Sequence, residues 1–192
     1  MAALPIAVGA GSCPNIRPAF RRHLPMGNQH LEVVMLNWLK SILMPKPPKP
    51  LGPPQLVHGV PPEQVPLTRD HVLLDGDAWR IHADAPGLVR LYDIELPRLE
   101  QCMLTYRLRL KSQDVVRGAY LEMWCRVAGM GEFFSKGLTH RVRGTTDWSE
   151  YEIPFYLKKA QQADLLKLGV TFQGPGTVWV KEVQVFQTPL EA

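Results

Sequence analysis

From Asp70 onward the chain alternates apolar and polar residues, and the alternation is longest over residues 102–111. There Cys102, Leu104, Tyr106, Leu108 and Leu110 interleave with Met103, Thr105, Arg107, Arg109 and Lys111, the pattern of a strand with one buried face. A second long run follows, in which Ala119, Leu121, Met123, Cys125 and Val127 alternate with Tyr120, Glu122, Trp124 and Arg126. Shorter strand candidates span 79–83, 89–96, 138–143, 151–156, 167–173 and 178–186, with Gly and Pro between them as turn punctuation. Only residues 158–166 suggest a short helix or turn. In the last candidate Val178 and Val180 share one phase and Val183 and Val185 the other, so an inserted residue near Lys181 and Glu182 predicts a β-bulge. About eight strands with turn-rich links predict an all-β, antiparallel β-sandwich over residues 70–192.

Ahead of this region the periods change. Residues 1–34 show neither helical nor strand periodicity and mix Gly, Pro and His with Arg21 and Arg22, which predicts a disordered arm. Within residues 31–44, LEVVMLNWLKSILM, the positions Met35, Trp38, Leu39 and Ile42 fall at helical spacing. A short amphipathic helix over 35–44 follows, suited to packing on its own domain or docking to a protein partner. Next comes PKPPKPLGPP, six prolines in ten residues, the start of a stiff Pro-rich linker expected over 45–69.

Charge sharpens this division. The 192 residues carry a net charge of +4, which on its own points to a polyanionic partner. Residues 1–69 hold seven Lys/Arg against Glu32 and Glu63, whereas residues 70–192 hold 15 Lys/Arg against 16 Asp/Glu. The excess is confined to the arm, so nucleic acid is not the expected partner of the domain. No apolar run reaches the roughly 18 residues that would span a bilayer. The opening segment lacks Lys or Arg before its apolar part and is interrupted by Pro5; it does not make a convincing signal peptide, and a cytoplasmic location is the expectation.

The last third carries a resemblance. TTDWSEYEIPFYL (145–157), a polar link, and LLKLGVTFQGPGTVWVKEVQVF (165–186) resemble the closing strands of galactose-binding-like β-jelly-rolls, the fold of many carbohydrate-binding modules. Trp148, Gly169, Gly174, Gly176, Trp179 and Val183 stand at the positions that carry it. The resemblance implies a jelly-roll sandwich and noncatalytic binding of a carbohydrate or similar polyhydroxylated ligand. It departs from the family where Lys181 and Glu182 stand in place of Asp in the last strand, against a structural calcium there. No cofactor is expected; Asp75 and Asp77 are the acidic turn residues that offer calcium a place.

A sugar-binding face needs an exposed aromatic platform beside polar groups that bond hydroxyls. The polar sides of the two long runs have that composition: Tyr120, Glu122, Trp124 and Arg126 on one, Arg107 and Arg109 on the other, with Trp179 adjoining. If the runs pair as antiparallel neighbours, these side chains form one patch. The alternative is a protein-interaction or structural module in which the same aromatics are covered. A second candidate is GMGEFFSKG (129–137), a loop in which one of Phe133 and Phe134 is expected to plug the edge of the sandwich. Catalysis has little to stand on: Ser135, His140 and Asp147 lack a nucleophile elbow, six histidines show no metal-ligand spacing, and Glu122 with Glu152 or Asp147 is a carboxylate pair of unknown separation. Cys102 and Cys125 both point inward, as free thiols or, if their strands meet, as a disulfide.

Overall fold

The computed structural model describes residues 48–191, and the expected arm (1–34), helix (35–44) and first residues of the linker lie outside them. The described residues form nine strands: β1 (Gln55–Gly59), β2 (Val72–Asp75), β3 (Ala78–Ala83), β4 (Gly87–Leu99), β5 (Cys102–Val127), β6 (Gly131–Lys136), β7 (Val142–Tyr156), β8 (Ala163–Phe172) and β9 (Gly176–Pro189). All pairings are antiparallel and belong to one sheet. The two long runs of alternation are therefore not two strands. They are the halves of β5, 26 residues long.

The halves of β5 take different neighbours. Residues 102–113 pair with β9, and residues 119–127 pair with β8. On the other side β7 pairs with the first half and continues to Ala119, and β6 takes Glu122–Val127. In effect a ribbon three strands wide, β5 between β6/β7 and β8/β9, is bent across its middle. The sheet extends from β8 to β4 on one half, and from β9 to β1 and, further along, to β3 and β2 on the other.

The bend lies at residues 113–118, where the ladder to β7 loses register. Asp114 and Arg117 adopt positive φ (53° and 63°) and Gly118 has φ 111°, backbone that turns the strand instead of extending it. The opposite link is held against the bend by hydrogen bonds from Val116 N to Pro175 O and from Gln173 N to Gly118 O, each 2.8 Å. A Cβ on Gly176 would lie 2.6 Å from Val115 Cα, so only glycine permits this approach.

Bending turns the apolar faces of both halves toward one core. Leu104, Tyr106, Leu108 and Leu110 from the first half join Leu121, Met123 and Cys125 from the second in one buried cluster. The sheet thus curls into a sandwich-like arrangement whose inward positions match the expected alternation. Cys102 and Cys125 are free and buried; burial pushes their thiols up to about 11 and about 12. The expected bulge is present: between Arg107 and Arg109 the register on β9 moves from Gln184 to Lys181, one residue more than on β5, and Glu182 has φ 53°.

Three expectations are corrected. The expected strand 138–143 begins only at Val142, and the expected loop 129–137 instead supplies β6, because alternating Glu132, Phe134 and Lys136 pair with β5 as an edge strand. The short helix or turn expected over 158–166 is a turn at Lys159 and Ala160, closed by Gln161 N donating to Lys158 O, before β8 starts at Ala163. The described part of the expected 45–69 linker is bound to the sheet. Pro50 bridges to Leu190, β1 pairs with β9, and Leu67 N and Thr68 N donate to Leu91 O and Arg90 O on β4. The proline clusters flank QLVHG but do not enter it, so its backbone donors remain free for pairing.

Gly176→Ala should destabilise the fold by ~2 kcal/mol or more, since the backbone at Val115 must move to admit the methyl group; urea unfolding measures it. Tyr106 is fully buried and its hydroxyl has no partner. Tyr106→Phe should therefore leave stability unchanged or raise it by up to ~1 kcal/mol, measured in the same way.

Candidate binding cleft on the outer face

The outer face of the second half is built from rows that cross β6, β5, β8 and β4. One row sets Lys136 beside Glu122, Gly169 and Arg90, and the next sets Phe134 beside Trp124, Lys167 and Asp93. Gly169 stands in the middle of the first row. A Cβ there would lie 2.7 Å from Val89 O and 2.8 Å from Leu88 Cδ1. The missing side chain lets β4 approach and leaves a depression between Glu122 and Arg90. It is a cleft of about 220 Å³ lined by Leu88, Arg90, Glu122, Trp124, Glu132 and Lys167 over a floor of Leu168 and Gly169.

Glu122 organises the cleft from below. Its residue is 4% exposed, and its carboxylate accepts hydrogen bonds from Trp124 Nε1 at 2.8 Å and Thr171 Oγ1 at 2.7 Å. The Lys136 ammonium lies 3.4 Å from it. A buried carboxylate is tolerated only when its oxygens are satisfied and its charge is met, and all three partners supply this. The consequence reaches Trp124: with its indole N–H engaged, the ring is held in one orientation while remaining partly exposed. Phe134 packs against it with ring centroids 5.2 Å apart at 50°, a favourable tilted geometry.

The charged groups round the cleft are matched locally. Arg90 reaches both oxygens of Asp93 at 2.6 and 2.8 Å, Lys167 pairs with Glu132, and Arg126 donates to Asp164 at 2.7 Å. The cleft is therefore polar at its rim and close to charge-balanced. Phe134 and Phe133 are both exposed, at 57% and 41%, so the expectation that one of them plugs the edge is not met. β6 is an edge strand and has nothing to cover it among the described residues.

The seven residues expected to form one patch do not. Tyr120, Glu122, Trp124 and Arg126 lie on the second half of β5; Tyr120 is only 8% exposed and lends little surface. Arg107, Arg109 and Trp179 lie on the outer face of the first half, beyond the bend. Arg107 donates to Glu152 Oε2 at 2.7 Å and stacks 4.7 Å from the centre of Phe186, Arg109 lies 3.7 Å from Glu182, and Trp179 Nε1 donates to Asp75 Oδ2 at 2.7 Å. The single patch required a hairpin of two strands, and one bent strand turns the two groups away from each other. Leu88, Gly169 and Thr171 were missed as site residues, and Phe134 and Lys136, part of the second candidate, were not joined to Trp124. The alternation of Glu132, Phe134 and Lys136 was the available signal for the last two.

Other candidate chemistry is dispersed or already engaged. Lys181 donates to Asp77 Oδ2 at 2.7 Å and holds that carboxyl below its usual value, while Asp75 is taken by Trp179. Among the described residues no three His, Cys, Asp or Glu side chains gather as a metal site. Ser135 Oγ donates to Pro154 O, His140 contacts Thr139, and Glu152 is bound by Arg107 across the bend from Glu122. Among the described residues no helix is long and apolar enough to cross a membrane.

These features define an all-β protein with a curled antiparallel sheet and a small aromatic cleft on one outer face. In fold the chain is similar to carbohydrate-binding modules. One is the CBM22-1 xylan-binding domain from Paenibacillus barcinonensis Xyn10C, with TM-score 0.44 and 9% identity over 72% of this chain and 97% of that one. Another, described as CBM4, gives TM-score 0.44 and 14% identity over 60% of this chain and 74% of that one. An arabinose-bound α-L-arabinofuranosidase, MgGH51, is similar at TM-score 0.43 and 12% identity over 72% of this chain but 25% of its own. No protein-family model matches the sequence, and no curated protein does.

Replacing Glu122 by Ala should cost about 2–3 kcal/mol of folding stability, because Trp124 Nε1, the Thr171 hydroxyl and the Lys136 ammonium all lose their acceptor. Denaturant unfolding measures the loss.

Proposed function

We propose that this domain is a noncatalytic binding module of the jelly-roll kind whose cleft beside Trp124 takes a carbohydrate or similar polyhydroxylated ligand. The observation that carries the proposal is a partly exposed indole fixed by a buried carboxylate and flanked by a second aromatic ring. A pyranose has apolar C–H faces that pack on such a ring and equatorial hydroxyls that bond to groups at its edge. Arg90, Lys167 and Glu132 stand at that edge. Their charges cancel in local pairs, which favours a neutral sugar. The cleft is smaller than the roughly 300 Å³ from which pockets for drug-sized ligands start, so it takes one ring, with further units of a chain lying over Phe134 or Leu88. Of the expected ligand-binding residues, Glu122 and Trp124 line this cleft, Arg126 stands in the adjoining row, and Tyr120 is buried.

A second reading is a protein-interaction module, favoured by the exposed Phe133, Phe134 and Met130 along and beside the open edge of β6. Exposed apolar residues on an unpaired edge are a template for another chain.

Glycan-array screening followed by calorimetric titration should find a neutral oligosaccharide whose affinity falls tenfold or more in Trp124→Ala, the ~1.4 kcal/mol or more expected for losing an aromatic platform. Absence of binding to any glycan, with Phe134→Ala disrupting a complex with a protein partner, would favour the second reading.

A further inference from the structure

The outer face of the first half holds an arrangement that the cleft does not use. Lys111 and Trp179 are direct cross-strand partners, and Trp148 of β7 lies across them. The Lys111 ammonium is 4.6 Å from the centre of the Trp179 ring and 5.4 Å from that of Trp148. Both indoles are anchored. Trp179 Nε1 is bonded to Asp75, and Trp148 packs under the Lys181 ammonium at 4.6 Å, itself tied to Asp77. On this face Arg107, Arg109 and Lys181 have counter-ions in Glu152, Glu182 and Asp77, whereas Arg80, the cross-strand partner of Trp179, has none among the described residues. Lys111 lacks one too: among the described residues its ammonium has neither a carboxylate partner nor a hydrogen-bond acceptor, and it lies over the two indoles.

We propose that this face is a second binding site, for a carboxylated sugar, in which Lys111 takes the carboxylate and Trp179 the ring. An exposed cation–π contact is weaker than a hydrogen bond between an ammonium and a carboxylate, so an incoming carboxylate displaces nothing of comparable strength. The ammonium needs only to swing from above the indoles toward the adjoining cleft of about 420 Å³, where Gln113, Thr145 and Thr146 present groups suited to sugar hydroxyls. Asp147 also borders this cleft, and its carboxylate accepts the Trp148 backbone N–H at 2.7 Å. The site needs no residue of the Trp124 cleft and stands or falls independently of it.

Titration of the full chain with trigalacturonate and with its methyl ester is the test. Trigalacturonate should bind, and the ester, which keeps the rings but lacks the charge, should bind at least about tenfold more weakly. Lys111→Gln should reduce trigalacturonate to the affinity of the ester, and Trp124→Ala should leave it unchanged. Equal affinity for acid and ester, no binding of trigalacturonate, or loss of binding in Trp124→Ala would each overturn the proposal.

Discussion

The fold depends on one close approach, that of the Gly174–Gly176 link to β5 where this strand bends. A strand of 26 residues left straight would present its apolar alternation to water along its whole length, with no second layer to meet it. Two hydrogen bonds and a contact that excludes a single methyl group hold the bend. Because β6/β7 and β8/β9 are paired to the same strand on either side, the full three-strand width bends together. One core forms from what would otherwise be one side of a long ribbon.

The bend also sets what the surface can do. A face continuous in sequence becomes two faces turned away from each other, each with its own aromatic residues and its own treatment of charge. On the second half a carboxylate is buried beneath a tryptophan and orients it through the indole N–H. On the first half two tryptophans enclose a lysine that has no counter-ion among the described residues. The glycine at position 169 opens one of these faces by letting β4 come in where a side chain would have held it off.

Much of the architecture was legible in the chain. The inward residues of β5, β8 and β9 follow from alternation, and the bulge near Glu182 follows from a phase break between Val180 and Val183. Such features are local, being carried by a strand's own side-chain period. What alternation does not report is whether two runs are separate strands. Residues 112–118 contain polar and charged groups and a glycine that suit a turn equally well as a bend within a strand. β1 was hidden by prolines on both sides, and β6 by glycines at both ends of a short segment that reads as a loop.

The binding faces were legible in composition and not in grouping. Trp124 and Glu122, two residues apart, share a face of any strand, so their proximity was decided by the sequence alone. Joining them with Arg107, Arg109 and Trp179 required a strand pairing that the sequence leaves open. Which residues alternate, where the phase slips and where the prolines and charges concentrate are properties of the chain. Which outward residues share a surface was decided only by the tertiary bend, because Phe134, Thr171 and Trp179, which meet Trp124, Glu122 and Lys111, come from other strands through pairing that no local period encodes.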